Sequence, residues 1–209
     1  MRIVTVNVNG IRSAERKGFA RWLARIEPWD VVCLQEIKAH VDDVPRALAA
    51  PRKSHASFHT AAKRGYSGVA LYAKRPASVQ VGFGSVEFDA EGRYVEADFG
   101  HLSIISVYLP SGSSSPERQI AKFRFLAEFL PHLLRLRDAG REVILCGDWN
   151  IAHQPIDLQR PAGLIHVRHA QVGQDKEIRR RRDPVVQLFG AQGNPCEPAT
   201  GFEGWTRRA

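Results

Sequence analysis

The sequence predicts an α/β layered domain, because short β-rich segments alternate with amphipathic helical patterns. At 209 residues and 44% hydrophobic content, the chain is long enough to bury one substantial core. Six segments are rich in β-branched residues and have the length of strands: residues 3–6, 30–35, 69–72, 94–99, 102–107 and 142–146. One domain of mixed strands and helices is therefore the starting expectation.

Two helical patterns separate some of these strands. The first covers about residues 14–26, where an apolar stripe with helical spacing is formed by Phe19, Trp22, Leu23 and Ile26. The second begins at Ser115, a good N-cap residue, and Pro116 suits the first helical position. Gly140 can end it. Because Pro131 lacks a backbone donor, we expect it to kink or split this helix.

The charge balance favours a polyanionic partner. The chain has 30 Lys and Arg against 22 Asp and Glu, for a net charge of +8 and an isoelectric point near 9.8. Nucleic acid phosphates attract such a surface. Half of the excess lies in residues 159–209, which hold nine basic and five acidic residues.

Cysteine usage and the amino terminus indicate a cytoplasmic protein. Three cysteines without metal-site spacing argue for a reducing compartment and against a disulfide framework. The chain begins with a short strand-like run instead of a secretory signal, and no stretch reaches transmembrane length. We expect no association with membranes.

The composition changes after residue 158. Of the last 51 residues, 23 are Arg, Ala, Gly or Pro, and only ten are Leu, Ile, Val or Phe. This is too little apolar material, without periodicity, to predict a packed continuation. We therefore divide the chain into a domain part, 1–158, and a poorly ordered basic tail, 159–209.

Polar residues that could carry chemistry stand at the ends of four predicted strands. Asn7, Glu36 and Tyr108 each end or follow one strand, and Asp148 and Asn150 follow the last. Taken singly, each has an ordinary explanation, since Asn and Asp favour turns and a tyrosine at a strand end commonly packs half-buried. Taken together, carboxylate and amide oxygens suit a hard divalent ion such as Mg²⁺ better than Zn²⁺.

Six ordered motifs resemble the exonuclease III family of abasic-site endonucleases. They are Asn-Val-Asn-Gly-Ile-Arg at 7–12, Leu-Gln-Glu-Ile-Lys at 34–38, Gly-Tyr-Ser-Gly-Val-Ala at 65–70, Glu-Gly-Arg-Tyr at 91–94, Val-Tyr-Leu-Pro at 107–110 and Gly-Asp-Trp-Asn-Ile-Ala-His at 147–153. The resemblance implies the endonuclease/exonuclease/phosphatase fold, a two-sheet β-sandwich flanked by helices with the active site at one edge. Its second half is expected to be incomplete here.

The resemblance also implies roles for individual residues. Glu36 would be the principal ligand of Mg²⁺, or of Mn²⁺ as the alternative, with Asn7, Asp148 and Asn150 in the same metal and phosphate network. Asp148 would activate the attacking water or hold a second metal, Asn150 would bind the scissile phosphate, and Tyr108 would contact that phosphate or the leaving oxygen. Substrate binding is implied for Arg12, Lys38, Tyr66, Arg93 and Ser111.

The activity implied is Mg²⁺-dependent hydrolysis of phosphodiester bonds in double-stranded DNA. A monomeric enzyme of this kind would incise at abasic sites and remove nucleotides from 3′ ends in base excision repair. The family's carboxy-terminal Asp-His pair has no counterpart, because residues 159–209 contain no Asp-His dipeptide. Out-of-frame translation of GC-rich DNA yields Arg, Ala, Gly and Pro, so we expect a truncated or frameshifted product.

Two other functions stay open from the sequence. The first is a noncatalytic DNA-binding remnant, which keeps the basic residues and has lost the chemistry. The second is a related phosphatase or phosphodiesterase that acts on a substrate other than DNA, because such enzymes share the Glu and Asp-x-Asn elements. The segments at 65–68 and 91–94 resemble the DNA-acting branch, and the positive net charge also favours DNA.

Overall fold

Two five-stranded mixed sheets form the framework of the protein. The computed structural model describes residues 1–112 and 115–151, together with the backbone of 168–171 and 186–189. The first sheet has the order β3-β4-β2-β1-β9 and is built from Arg2–Asn7 (β1), Val31–Gln35 (β2), His55–His59 (β3), Val69–Ala73 (β4) and Arg168–Gln171 (β9). In this sheet β1 and β2 are parallel, and the other pairings are antiparallel.

The second sheet has the order β10-β8-β7-β6-β5. Its strands are Ser78–Val81 (β5), Tyr94–Asp98 (β6), Leu102–Tyr108 (β7), Glu142–Asp148 (β8) and Val186–Phe189 (β10). Here β7, β8 and β10 run parallel, whereas β5, β6 and β7 are antiparallel neighbours.

The sheets pack face to face, and each has a second apolar face under helices. Alternate strand residues point to opposite faces of a sheet, so one set fills the space between the sheets. That set includes Ile3, Val31, Cys33, Val69, Leu71, Val95, Ala97, Ile104, Ile144 and Cys146. The other faces pack against Phe19 and Leu23 on one side and against Phe125 and Phe129 on the other. The predicted two-sheet sandwich flanked by helices is confirmed.

The first predicted helix is two helices in the structure, α1 (Ile11–Arg16) and α2 (Phe19–Arg25). The break falls at Gly18, whose φ of 87° is the left-handed conformation that glycine adopts at little steric cost. The apolar stripe is retained, because Phe19 and Leu23 are buried on α2. The hydrophobic spacing was therefore correctly interpreted, and the helix limits were not.

The second predicted helix is the single helix α5 (Pro116–Asp138). Its Ser115 side chain accepts a hydrogen bond from the Arg118 backbone N–H, as expected for an N-cap. The expected split at Pro131 was wrong, since the helix continues past it. Pro131 lies on the exposed face of α5, where water can satisfy the carbonyl that it leaves without a donor.

Shorter elements complete the described chain. They are a 3₁₀ turn at Val41–Asp43 and the four-residue helices α3 (Arg46–Ala49) and α4 (Val86–Asp89). Strands β9 and β10 fall within residues 159–209, where the composition predicted no packed element. The separation of residues 159–209 as a basic tail stays a prediction. No helix in the described part of the chain has the length and apolarity needed to cross a membrane.

Both sheets deliver polar residues to one edge of the sandwich. In the first sheet Asn7 pairs with Gln35 at the carboxyl ends of parallel β1 and β2, and Glu36 follows directly. In the second sheet Tyr108 pairs with Asp148 at the carboxyl ends of parallel β7 and β8. Because parallel strands end on the same side of a sheet, the topology collects these side chains in one place.

Candidate active site

The side chain of Asn7 joins the two carboxylates of the site. Its Nδ2 donates one hydrogen bond of 2.8 Å to Glu36 Oε1 and a second of 2.8 Å to Asp148 Oδ2. Asn7 and Glu36 belong to the first sheet, and Asp148 ends β8 of the second. The structure thus brings together three of the residues singled out in the sequence, across the gap between the sheets.

The loops at this edge hold a strained backbone. Glu36, Lys38 and Asn150 have φ values of 53°, 47° and 49°, in the left-handed region that residues other than glycine rarely adopt. Each such residue costs about 1–3 kcal/mol and persists only where its surroundings enforce it. Around Glu36 the surroundings are backbone bonds: Gly10 N–H to the Glu36 carbonyl at 2.7 Å and Lys38 N–H to the Ser67 carbonyl at 2.9 Å.

Glu36 is held as an anion by its neighbours. Burial by itself would raise its pKa, but hydrogen bonds from Lys38 and Asn7 and the charge of Lys38 lower the pKa below its ordinary value. The Lys38 Nζ lies 2.6 Å from Glu36 Oε2 and also donates to Asn9 Oδ1 at 2.6 Å. A charged carboxylate at neutral pH is what a metal ligand requires.

The pKa of Asp148 is shifted in the opposite direction, above its ordinary value. Burial raises its pKa, and the nearby charge of Glu36 adds to this, while hydrogen bonds from the Asn150 N–H and from Asn7 oppose it. The Asn150 N–H lies 3.0 Å from Asp148 Oδ1. Two adjacent carboxyl groups whose pKa values are displaced in opposite directions are typical of a division between ligand and proton acceptor.

Tyr108 and Asn150 flank the carboxylates. Burial, followed by the charges of Glu36 and Asp148, raises the pKa of Tyr108, so its hydroxyl stays protonated and can donate a hydrogen bond. The Asn150 Nδ2 donates to the Leu109 carbonyl at 2.8 Å, which ties the turn after β8 to the loop after β7. Both residues predicted to contact the phosphate therefore lie at this edge.

Arg93, one of the residues predicted to bind substrate, is buried beneath the site. Its side chain is 1% exposed, and its Nε donates to Glu91 Oε2 at 2.6 Å. Its Nη1 donates to the Tyr108 carbonyl at 2.9 Å and its Nη2 to the Tyr66 hydroxyl at 2.8 Å. The guanidinium also lies 5.0 Å from the centre of the Tyr108 ring. Arg93 thus braces the two tyrosines from behind.

A basic residue that the sequence did not single out lies on the outside of this cluster. Arg118, in the first turn of α5, donates from Nη2 to the Tyr66 hydroxyl at 2.7 Å and lies 3.6 Å from Glu91. Its side chain is partly exposed. An arginine near a helix start has no distinguishing sequence signal, because most such residues only solvate the surface.

The other predicted substrate-binding residues occupy loops and helix starts at this edge. Arg12 is exposed on α1, which begins directly after the Asn7–Gly10 segment, and Lys38 is partly exposed beside Glu36. Ser111 is half-buried in the loop after β7. Substrate binding by these residues stays a prediction.

The donor set fits Mg²⁺. This ion is usually bound through one or two carboxylates and keeps waters and substrate phosphates as further ligands. Glu36 and Asp148 supply two carboxylates linked through one amide. Among the described residues no group of three or more His, Cys, Asp or Glu could hold a metal, so a closed protein cage is not formed there. The side-chain oxygen of Asn7 accepts a hydrogen bond of 2.9 Å from the Asn9 N–H. Metal ligation by Asn7 and Asn150 stays a prediction.

Comparisons with known proteins found a matching family model and similar nucleases. The model of the "Endonuclease/Exonuclease/phosphatase family" matches residues 4–209. An exodeoxyribonuclease of Bacillus subtilis is 37% identical over 163 residues, covering 77% of this chain and 63% of the relative. The DNA repair nuclease APEX1 of Danio rerio is 36% identical over 168 residues, covering 78% of this chain and 53% of the relative.

Solved structures share the fold. An AP endonuclease from Archaeoglobus fulgidus superposes with a TM-score of 0.64 at 30% identity, covering 75% of this chain and 60% of the other. The catalytic domain of Xenopus laevis APE2 gives a TM-score of 0.63 at 30% identity, covering 74% and 60%. The chain matches about half to two thirds of the length of each of these four relatives.

Proposed function

Because the chain belongs to the endonuclease/exonuclease/phosphatase family, we propose that it is a divalent-metal-dependent hydrolase of phosphodiester bonds in DNA, of the exonuclease III type. It incises at abasic sites and removes nucleotides from 3′ ends in base excision repair. Relatives named exodeoxyribonuclease and abasic-site endonuclease support this assignment. The free, buried Cys33 and Cys146 suit the reducing cytoplasm. We propose that the protein acts there as a monomer.

The observation that carries the proposal is the Asn7 bridge between Glu36 and Asp148. A bound Mg²⁺ would withdraw charge from the phosphate as negative charge develops on the leaving oxygen. Glu36 would hold the ion through its charged carboxylate. Asn7 keeps both carboxylates at fixed spacing, so that the water to be activated and the phosphate meet in one orientation.

The raised pKa values of Asp148 and Tyr108 indicate which group accepts a proton and which keeps one. Asp148, whose pKa is raised, accepts the proton of the attacking water at one of its carboxylate oxygens. Tyr108 keeps its proton, because its pKa is raised, and its hydroxyl donates a hydrogen bond to an oxygen of the phosphate. Arg93 fixes Tyr108 by binding its carbonyl and lying against its ring. Asn150 lies beside Asp148 and binds the scissile phosphate.

Basic residues on the surface near the two carboxylates favour DNA as the substrate. Arg12, Lys38 and Arg118 place positive charge on the partly exposed surface around the carboxylates. Phosphate contacts of this kind make binding weaken as salt rises. The net charge of +8 acts in the same direction.

The test is incision of a duplex that carries one abasic site, with enzyme in excess over DNA. Residues 159–209 hold no Asp-His pair, and catalytic groups act as a unit, so we expect slow incision. It should require Mg²⁺ or Mn²⁺ and fall roughly 100-fold or more in Glu36→Gln, because the metal loses its charged ligand. Glu142→Gln, an exposed carboxylate at the other end of β8, is the matched control.

Other outcomes would favour the competing functions. Salt-sensitive duplex binding without cleavage would mark a DNA-binding protein that has no catalysis. Hydrolysis of inositol phosphates without cleavage of DNA would mark a phosphatase. Equal incision by the wild type and Glu36→Gln would contradict the proposal.

A further inference from the structure

A lysine side chain lies behind the catalytic edge, largely out of contact with solvent. Lys122 belongs to α5 and is 8% exposed, which is unusual for a lysine. Its Nζ donates a hydrogen bond of 2.5 Å to the backbone carbonyl of Asn150. Burial lowers the pKa of Lys122, and the nearby charge of Asp148 opposes that shift. A cation is thus aimed at the turn that carries two of the catalytic residues.

That turn needs outside support. Asn150 has a left-handed backbone with φ of 49°, and its N–H and side chain are bonded to Asp148 and to the Leu109 carbonyl respectively. Lys122 binds the remaining backbone group of Asn150, its carbonyl. With this third bond the backbone N–H, the Nδ2 and the backbone carbonyl of Asn150 each have a partner, and the Asp148 carboxylate is held through its bond to the Asn150 N–H.

The stem of Lys122 also lies close to the loop after β7. A Cβ placed on Gly112 would lie 3.4 Å from Lys122 Cδ, which is van der Waals distance. Lys122 therefore lies where three segments come together: the start of α5, the loop after Tyr108 and the turn after β8. These segments carry Tyr108, Asp148 and Asn150.

We propose that Lys122 is a positioning residue for phosphodiester hydrolysis, which holds the Asp148–Asn150 turn in its reactive geometry through the Asn150 carbonyl. The inference rests on the proposed function. Lys122 is largely buried and binds the turn through a backbone carbonyl, so its role is to align catalytic groups. Its loss should reduce kcat and leave KM for DNA almost unchanged.

The experiment compares Lys122→Met, which keeps the volume of the stem, with Arg124→Met, which removes an exposed cation two residues along α5. Arg124 pairs with Glu87 on the surface. We expect Lys122→Met to lower kcat at least tenfold with KM within twofold, and Arg124→Met to change neither. Lys122→Ala should recover part of its kcat when ethylammonium is added, relative to the same concentration of sodium chloride. Circular dichroism melting confirms that each variant is folded.

A second measurement does not depend on activity. In ¹H–¹⁵N spectra the backbone and side-chain amide signals of Asn150 should shift in Lys122→Met and stay in place in Arg124→Met. Absence of incision by the wild type would refute the proposed function, and the Asn150 signals would still decide the contact. Unchanged signals, a kcat equal to that of the wild type, or a loss confined to KM would each overturn the role of Lys122.

Discussion

Asn7 at the end of β1 donates a hydrogen bond of 2.8 Å to Asp148 at the end of β8, 141 residues away in the sequence. The same amide nitrogen binds Glu36. One neutral side chain therefore separates two carboxylates that would otherwise repel each other, and several expectations depend on this contact.

Asn7→Ala should destabilise the protein by about 1–3 kcal/mol, because two partly buried carboxylates lose their shared donor. Mg²⁺ should recover more stability in the variant than in the wild type, since the cation relieves the repulsion that the amide relieved before. Thermal melting with EDTA and with Mg²⁺ measures both effects. An equal Mg²⁺ response in the two proteins would contradict the bridging role.

Asp148→Asn should stabilise the metal-free protein at neutral pH while abolishing incision. A group whose folded-state pKa is raised costs stability above its unfolded pKa, near 3.9, and that cost grows as pH rises through the folded pKa. The stability gain of the variant should therefore be small at pH 4 and larger at pH 7. Urea denaturation in EDTA at the two pH values measures this gain. A gain that shrinks as pH rises would contradict the predicted pH dependence.

The contribution of Glu36 to folding stability should depend on pH in the opposite sense. Because its pKa is lowered in the folded protein, its contribution to stability is present above the unfolded pKa and is lost as pH falls through the folded value. Glu36→Gln should therefore be less stable than the wild type at pH 7, and the deficit should shrink on acidification. The same urea series gives the comparison, with Glu142→Gln as the exposed control; a deficit that is independent of pH would be the contrary result.

Arg93→Met should cost about 3–5 kcal/mol, because it leaves Glu91 and two oxygen acceptors without their buried cation. Arg124→Met breaks a surface ion pair instead and should cost under about 1 kcal/mol. Equilibrium denaturation in urea provides both values. Similar losses in the two variants would mean that Arg93 is not the brace that its contacts indicate.

Arg118→Met should weaken duplex binding and flatten its salt dependence. If the guanidinium contacts one phosphate, the slope of log K against log salt should fall by about 1. Folding stability should change little, since the side chain is partly exposed. Fluorescence anisotropy at several salt concentrations gives the slope; an unaltered slope would place Arg118 off the DNA path.

The sequence was most informative where side-chain periodicity and strand ends coincide. The six predicted strands all occur, and the polar residues that follow four of them meet at one edge, because parallel pairing aligns the strand ends. Two of the strands that were missed, β3 and β5, lack such a pattern. All four residues of β5 are exposed, so it has no apolar face for the sequence to reveal, and β3 is mostly half-buried.

Contacts between distant segments could not be predicted from the sequence. The burial of Arg93 depends on Tyr66, Glu91 and Tyr108 closing around it, and nothing in its local sequence distinguishes it from an exposed arginine. Lys122 likewise lies on the inner face of α5 with an acceptor 28 residues away. The break at Gly18 lies just before the apolar stripe begins at Phe19, so the spacing of hydrophobic residues could not locate it.

The placement of the three site residues on two sheets has a consequence for biosynthesis. Neither sheet alone holds both carboxylates, so the site forms only when the two sheets pack against each other. A chain still emerging from the ribosome, or one opened between its layers, would hold the two acids apart. The chemistry proposed for this site would then be confined to the fully assembled fold.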